Sequence, residues 1–175
     1  MTPGNNGYQR SGRPGYGSGA PRNSSGNFGT RRSADRPYED AKPDVLPNDF
    51  VDLAMHTMEQ ISTPAPSDDN PGRRKCAITT SKIRNLLSLV MDIYNQEYRR
   101  VEKDLLDESK RQIQMARVRM IYEAGRDDNV RRFLEQSHLI AYLKGIGDDR
   151  ARLIQYTQYL EALVAYHRYM GGREN

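Results

Sequence analysis

The stretch that decides the fold is "TTSKIRNLLSLVMDIYNQEYRRVEK", Thr79 to Lys103. Its apolar residues recur at three- and four-residue steps, the spacing that places them on one side of an α-helix. Thr79 or Thr80 can cap the first turn, because a threonine hydroxyl there accepts a hydrogen bond from a backbone amide. The stretch therefore predicts one long amphipathic helix. Its apolar stripe is Ile83, Leu87, Val90, Tyr94, Tyr98, Val101 and Leu105, widened by Leu86 and Ile93.

Helical periodicity also precedes this stretch, starting near Asp44, and no convincing strand or hairpin pattern accompanies it. A first helix is expected to begin with Asn48 as its N-cap. It ends before a proline-rich segment at 62–76, which we expect to form a flexible loop because proline interrupts helices. The stripe of this first helix is Phe50, Leu53, Ala54, Met58 and Ile61.

Three more helices are predicted after the long one. The third is capped by Asp107 or Ser109 and ends at Gly125, which suits the left-handed C-cap position. The fourth begins at residues 127–129 and continues to "KGIGDD", and the last begins with Asp148 as its cap. Their apolar positions are Ile113, Ala116, Met120, Ile121 and Ala124, then Val130, Phe133, Leu134, Ile140, Ala141 and Leu143, then Leu153, Tyr156, Leu160, Leu163, Val164 and His167.

The chain divides near residue 42. Residues 43–175 are predicted to form an all-α domain, a compact bundle of about five helices. Residues 1–42 are rich in Gly, Ser and Arg and nearly lack aliphatic residues, so we expect a disordered tail. Aromatic residues are spaced among the arginines of this tail, a pattern that resembles the arginine- and glycine-rich arms of RNA-binding proteins. We favour a solvated tail with loose attraction to RNA over a specific binding arm.

Composition excludes several classes of protein. Cys76 is the single cysteine among 175 residues, so no intramolecular disulfide is possible and a reducing compartment fits. The N-terminus lacks the apolar segment of a signal peptide, and the apolar runs are too short to cross a bilayer. We therefore expect a soluble cytoplasmic protein. The net charge of +4 permits nucleic acid as a partner without requiring it.

The sequence offers little catalytic chemistry. His56, His138 and His167 lie on three different predicted helices, and none has the spacing that puts two metal ligands on one helix face. The adjacent aspartate pairs precede helices, where capping explains them. No phosphate-binding loop of the P-loop type occurs, and Cys76 lacks a base partner. We predict a binding protein that is not an enzyme, with no catalytic residues, metal, cofactor or small-molecule substrate.

Basic residues form the main candidate site. Lys82 and Arg84 lie in the first turn of the long helix, where cations oppose the helix dipole and where a phosphate is favourable. Arg117, Arg119 and Arg126 fall on the third helix, and Arg131 and Arg132 begin the fourth. Local pairing offers an alternative, since Glu123 follows Arg119 and Glu135 follows Arg131 by four residues. Charge alone leaves a solvated face and an RNA-facing surface equally open.

Five motifs, in the same order, resemble a known family. They are "TTSKIRNLL", "RVRMIYEAGR", "NVRRFLEQS", "GIGDD" and "LEALVAYHRYMGG", and they span about Ala77 to Gly172. Together they are similar to the small subunit of type III-A CRISPR-Csm effector complexes. The long tail and the proline-rich segment depart from the compact start usual in that family.

The resemblance implies an all-helical, non-catalytic subunit that takes part in antiviral defence. Several copies would stack along the complex beside other Csm subunits, with a basic surface facing the duplex of CRISPR RNA and target RNA. The motifs carry the RNA-facing role to Lys82, Arg84, Arg117, Arg119 and Arg126, followed by Arg131 and Arg132. Ile83 and Tyr122 are expected to be packing residues.

A second hypothesis stays open at this point. The chain would be an architectural helical protein that self-associates without direct RNA contact, its arginines solvated. Its interface would be the tyrosine-rich last helix, since tyrosine is common at interfaces. The tyrosines concerned are Tyr156, Tyr159, Tyr166 and Tyr169.

Overall fold

The computed structural model describes residues 41–64 and 74–172, and it confirms the all-α class. Six helices lie in this part of the chain, one more than predicted. They are α1 (Phe50–Ile61), α2 (Thr80–Tyr98), α3 (Asp107–Arg126), α4 (Asp128–Gln136), α5 (Leu139–Gly145) and α6 (Arg150–Tyr169).

The two segments predicted to lack helical structure lie largely outside the described residues. Residues 1–40 of the predicted tail and residues 65–73 of the predicted loop are outside the described part of the chain. The two ends of this loop pair as a two-residue antiparallel ladder, Thr63–Pro64 (β1) with Arg74–Lys75 (β2), which the sequence pattern did not indicate.

Helix α2 is capped as predicted but ends earlier than predicted. The Thr79 hydroxyl accepts from the Lys82 amide, and the last helical residue is Tyr98. Tyr98 and Val101 are 58% and 89% exposed, so their assignment to the buried stripe was wrong. The buried line instead runs through Ile83, Leu86, Val90, Ile93 and Glu97. Helix α2 is thus rotated so that the line expected only to widen the stripe faces the core.

Glu97 fixes the turn between α2 and α3. Its carboxylate is fully buried and accepts from the Leu106 amide, at 3.0 Å, and from the Ser109 hydroxyl, while Arg100 Nη1 donates to it at 2.7 Å. Burial raises the pKa of Glu97, but these hydrogen bonds outweigh it and hold the pKa below its ordinary value. The Ser109 hydroxyl therefore donates to the Glu97 carboxylate and does not cap α3. The N-cap of α3 is Leu106, so neither Asp107 nor Ser109 holds the predicted capping position.

Helix α3 continues through Gly125, where the sequence predicted a stop. Gly125 is inside the helix and does not have a positive φ. The helix is ended by Asp127, whose backbone is extended, and the same aspartate begins α4 by accepting from the Asn129 and Val130 amides. Because this carboxylate satisfies the start of α4 directly, no left-handed glycine is needed at the junction.

The predicted fourth helix is split in two by His138, which adopts a positive φ of 53°. The Ser137 hydroxyl bonds to the Phe133 carbonyl, and the Ser137 carbonyl accepts from the buried Tyr159 hydroxyl at 3.1 Å. A core side chain thus satisfies a backbone group left over at the break. The break lets α5 change direction, and the side chains of Leu139 to Leu143 are all buried.

Helix α6 packs against α1 and α2 and completes the core. Its N-cap is Asp149, not the predicted Asp148, and the Asp149 side chain accepts from the Ala151 and Arg152 amides. Near its C-terminus the buried His167 lies against the start of α2, with Nε2 2.9 Å from the Ile78 carbonyl and Nδ1 3.2 Å from the Thr80 hydroxyl.

Helix α1 ends at Ile61 as predicted, but its N-cap is Asp49, one residue after the predicted Asn48. The Arg74 guanidinium closes the other end, donating to the carbonyls of Glu59 and Ser62 at 2.8 Å each. The Arg74 amide also donates to the Met170 carbonyl. This arginine therefore ties α1, the ladder and the end of α6 together.

Candidate RNA-binding surface

Lys82 connects two of the predicted basic segments. It lies in the first turn of α2, and its ammonium contacts the carboxylate of Asp127 between α3 and α4. The hydrogen bond from Lys82 lowers the pKa of Asp127, and the Asn129 and Val130 amides lower it further. The start of α2 therefore lies against the α3–α4 junction, two segments that are distant in sequence.

This junction carries three more of the predicted residues. Arg126 is the last residue of α3, and Arg131 and Arg132 lie in the first half of α4. Arg126 and Arg132 are exposed and Arg131 is half-buried. We call Lys82, Arg126, Arg131 and Arg132 the junction cluster. Since Asp127 already occupies the free amides at the start of α4, a phosphate here would meet basic side chains.

Arg84 is not part of the junction cluster. It follows Lys82 by two residues, which turns it about 200° around the axis of α2. Lys82 points towards α3 and α4, so Arg84 lies on the far side of α2. It is exposed, and no ion pair to it occurs among the described residues. The two cations at the start of α2 therefore do not form one site.

Arg117 and Arg119 are separated in the same way. They lie about 200° apart around α3, with the exposed Val118 between them. Arg117 is half-buried, whereas Arg119 is exposed. A single flat surface cannot reach both side chains from one direction.

Arg119 and Arg126 share one line because α3 continues through Gly125. They are seven residues apart, about 10.5 Å along the helix axis, and Tyr122 lies between them. Tyr122 is 60% exposed, and the guanidinium carbon of Arg126 lies 5.4 Å from the centre of its ring. We call Arg119, Tyr122 and Arg126 the α3 stripe. The prediction that Tyr122 packs in the core was wrong, while the one for Ile83 is confirmed.

Local ion pairs do not account for all of these arginines. Glu123, the expected partner of Arg119, instead lies 3.7 Å from Arg126. Arg119 has no ion pair within residues 41–64 and 74–172. The alternative in which neighbouring carboxylates neutralise the helix surface therefore fails at Arg119.

Only two of the four tyrosines that the second hypothesis assigned to an interface are available at the surface of α6. Tyr156 and Tyr159 are buried in the core, where Tyr159 donates to the Ser137 carbonyl. Tyr169 is exposed, and Tyr166 is partly buried against the core. The last helix uses half of the tyrosines named for that interface to hold the bundle together.

The described residues contain no group of three His, Cys, Asp or Glu side chains arranged to hold a metal ion. None of their helices combines the length and apolar character needed to cross a membrane. Cys76 is half-buried, and burial raises the pKa of its thiol, which keeps it protonated at neutral pH.

A family model decides the relationship that the motifs suggested. The model described as Csm2 Type III-A matches residues 56–173. The chain belongs to this family. The matched range begins inside α1 and includes α2 to α6, so it contains all seven of the predicted RNA-facing residues. Membership in the Csm2 family makes the chain a Csm effector subunit.

Curated relatives support the same assignment. Proteins named CRISPR system Cms protein Csm2 are similar to this chain in three organisms. The one from Mycobacterium tuberculosis is 35% identical over 97 residues, covering 55% of this chain and 78% of the relative. The one from Streptococcus thermophilus is 36% identical over 106 residues, covering 61% of this chain and 82% of the relative. The one from Enterococcus italicus is 32% identical over 107 residues, covering 58% of this chain and 76% of the relative.

Proposed function

We propose that this chain is a non-catalytic small subunit of a type III-A CRISPR effector that stacks in several copies and contacts RNA. It assembles with other Csm subunits in the cytoplasm. Its basic side chains bind the phosphates of the duplex between CRISPR RNA and target RNA. Membership in the Csm2 family supports the assembly, and the distribution of basic residues supports the RNA contact.

The junction cluster is the observation that carries this proposal. Lys82, Arg126, Arg131 and Arg132 come from three helices, yet the contact between Lys82 and Asp127 gathers them at one end of the bundle. Asp127 pairs with Lys82 and Glu123 pairs with Arg126. The exposed Arg132 has no ion pair among the described residues, so it is the side chain of the cluster most open to a phosphate. Arg119 extends the basic surface along α3, while Arg84 and Arg117 are candidate contacts on other faces.

The expected recognition is electrostatic and independent of sequence. An A-form duplex hides its base edges in a narrow major groove, so proteins recognise it mainly by its shape and backbone. Each phosphate contact releases counterions, and affinity therefore falls steeply as salt is added. The chain would bind the phosphate backbone, while base pairing between the guide and the target would provide sequence specificity.

Charge reversal in the junction cluster tests the proposal. The double variant Arg126→Glu, Arg132→Glu is compared with Arg99→Glu, Arg111→Glu, which changes the net charge equally at the opposite end of the α2–α3 pair. Binding of a blunt RNA duplex by the full chain is measured by fluorescence anisotropy at several salt concentrations. We expect the junction variant to lose at least about tenfold in affinity and to show a shallower salt dependence. The control should change far less.

Equal losses in both variants would show attraction to net charge only, and unchanged binding in the junction variant would remove the proposed RNA contact. Assembly is tested separately by purifying the effector from cells with each variant in place of the native chain. The junction variant should still copurify with the other Csm subunits and retain less target RNA.

A further inference from the structure

Tyr122 is exposed at a position where the fold gives it no packing role. Helix α3 buries Ile113, Ala116 and Met120 on its inner side, and Tyr122 lies on the outer side. A tyrosine carries a large apolar ring, and this ring stabilises a fold or a complex only when other atoms bury it. The 60% exposure of Tyr122 therefore leaves most of this gain unused in the isolated chain.

The surroundings of Tyr122 are basic along the helix. Arg119 and Arg126 lie on either side of it, within about 60° of it around the axis, and the Arg126 guanidinium lies over its ring. No carboxylate occupies the α3 stripe itself. Glu123 reaches Arg126 from the flank at 3.7 Å, which still leaves Arg119 without a charged partner among the described residues.

Gly125 leaves the neighbouring surface open. A Cβ atom placed on it would have nothing within 4 Å. Glycine inside a helix costs about 0.5–1 kcal/mol relative to alanine, and no close packing within the described residues requires it here. Beside Tyr122 and Arg126, the absence of a side chain permits close approach of another molecule to the helix.

We propose that the α3 stripe binds one unpaired nucleotide of RNA, with the base stacked on the face of Tyr122 opposite the Arg126 guanidinium and the flanking phosphates bound by Arg119 and Arg126. This inference rests on the RNA contact proposed above and adds a second kind of contact to it. The two arginines are about 10.5 Å apart along the helix, so they reach phosphates on both sides of the stacked base. Arginine beside an aromatic ring is a common arrangement for binding single-stranded RNA.

An unpaired nucleotide fits this stripe better than a paired one. Inside a duplex, both faces of each base are covered by its neighbours, so an aromatic side chain on a rigid helix cannot reach them. An unpaired base exposes a face. The stripe therefore distinguishes single-stranded RNA from duplex RNA, whereas phosphate contacts alone do not.

A second protein is the competing occupant of this surface. Met115 and Val118 are also exposed on the outer side of α3 and would suit an apolar contact. The cations at both ends of the tyrosine favour the RNA, because they complement phosphates and would leave buried charges under an apolar partner.

The test compares Tyr122→Leu, which keeps apolar volume but removes the ring, with Tyr122→Phe, which keeps the ring. Tyr98→Leu is the matched control, because Tyr98 is a surface tyrosine of similar exposure on α2. The probes are a fluorescent single-stranded oligouridine and a blunt duplex of the same length, bound to the full chain. Residues 1–42 are present in every variant and contribute the same background.

We expect Tyr122→Leu to weaken binding of the single strand by about 5- to 150-fold, the effect of losing one stacked base. Its affinity for the duplex and its salt dependence should match those of the native chain, because no phosphate contact is lost. Tyr122→Phe and Tyr98→Leu should bind both probes as the native chain does.

Unchanged single-strand binding by Tyr122→Leu would overturn the inference, and the proposed function would survive if the junction variant still lost duplex binding. Absence of RNA binding by the native chain would remove both the inference and the proposed RNA contact. Reduced self-association of Tyr122→Leu in sedimentation, with RNA binding intact, would identify the surface as a protein interface and also overturn the inference.

Discussion

The ammonium of Lys82 contacts the carboxylate of Asp127, a residue 45 positions further along the chain. This ion pair fixes the start of α2 against the end of α3. Asp127 has a second task at the same time, because its other carboxylate oxygen caps α4. One side chain thus positions the basic residues of three helices.

Separating the two tasks of Asp127 is the first prediction. Asp127→Asn keeps a good N-cap and removes the charge, so it should cost at most about 1 kcal/mol, since Lys82 is partly exposed and solvent screens the pair. Asp127→Ala also removes the cap and should cost about 1 kcal/mol more. Free energies of unfolding in urea measure both. Equal stabilities of the two variants would contradict the capping role.

The same carboxylate gives a pH dependence of known sign. Its pKa is lowered in the folded chain, so its contribution to stability is present above the ordinary aspartate pKa and is lost as pH falls below it. Replacing Lys82 by Met should reduce this acid sensitivity in urea titrations between neutral and acidic pH. A control at Lys75, which is exposed on the ladder, should leave the acid sensitivity unchanged.

His167 should cause a second loss of stability on acidification, which begins at a higher pH than the loss caused by Asp127. Burial lowers the pKa of its imidazole, so the unfolded chain binds a proton, near pH 6.5, that the folded chain does not bind. The stability contributed by neutral His167 is therefore complete above that pH and declines as pH falls through the folded-state pKa. His167→Gln should flatten the dependence of unfolding free energy on pH in this window. His56 and His138 remain in both proteins, so an identical slope would contradict the assignment.

Two helical glycines should respond to alanine with opposite signs. Gly125→Ala should stabilise the chain by about 0.5–1 kcal/mol, because the site is helical and open. A left-handed Gly125, as the sequence suggested, would instead make this variant destabilising. Thermal or urea unfolding monitored by circular dichroism distinguishes the two outcomes.

Gly145→Ala should destabilise the chain by about 1–3 kcal/mol, since overpacking forces the backbone to move. A Cβ atom there would overlap the Asp44 carbonyl oxygen. The segment before α1 crosses α5 at this point, where the Asp44 amide donates to the Ala141 carbonyl. Hydrogen exchange should show lost protection at the Asp44 amide. Intact protection would show that the segment is not displaced.

Local sequence was sufficient for most of the helices. The steps between apolar residues and the capping side chains depend only on neighbours within a few positions, so the true caps Thr79 and Asp127 were among the candidates that the sequence offered at these two helix starts. The same locality explains the errors at Gly125 and His138. A glycine is a good helix end unless a residue shortly after it caps a new helix, as Asp127 does two positions after Gly125. A continuous apolar pattern does not reveal that a distant tyrosine will satisfy a break.

The candidate site was less accessible to sequence. The sequence named seven basic residues as candidates, but it did not show that Lys82 lies against the α3–α4 junction, whereas Arg84 and Arg117 face elsewhere. The exposure of Tyr122 was not predicted, because a tyrosine on an amphipathic helix is usually assigned to the core. Its three-residue spacing from Arg119 and four-residue spacing from Arg126 was the available signal, and that signal depends on α3 continuing through Gly125.

The amino-acid sequence by itself determined that this chain is helical and that it belongs with the type III-A Csm2 family, because periodicity, caps and ordered motifs are properties of short segments. The tertiary structure alone decided which helix faces are buried and which arginines share a surface. Two adjoining apolar lines on α2 are equivalent until α3 and α6 cover one of them. The physical reason is that burial and ion pairing are set by side chains tens of residues away, whose positions no local pattern contains.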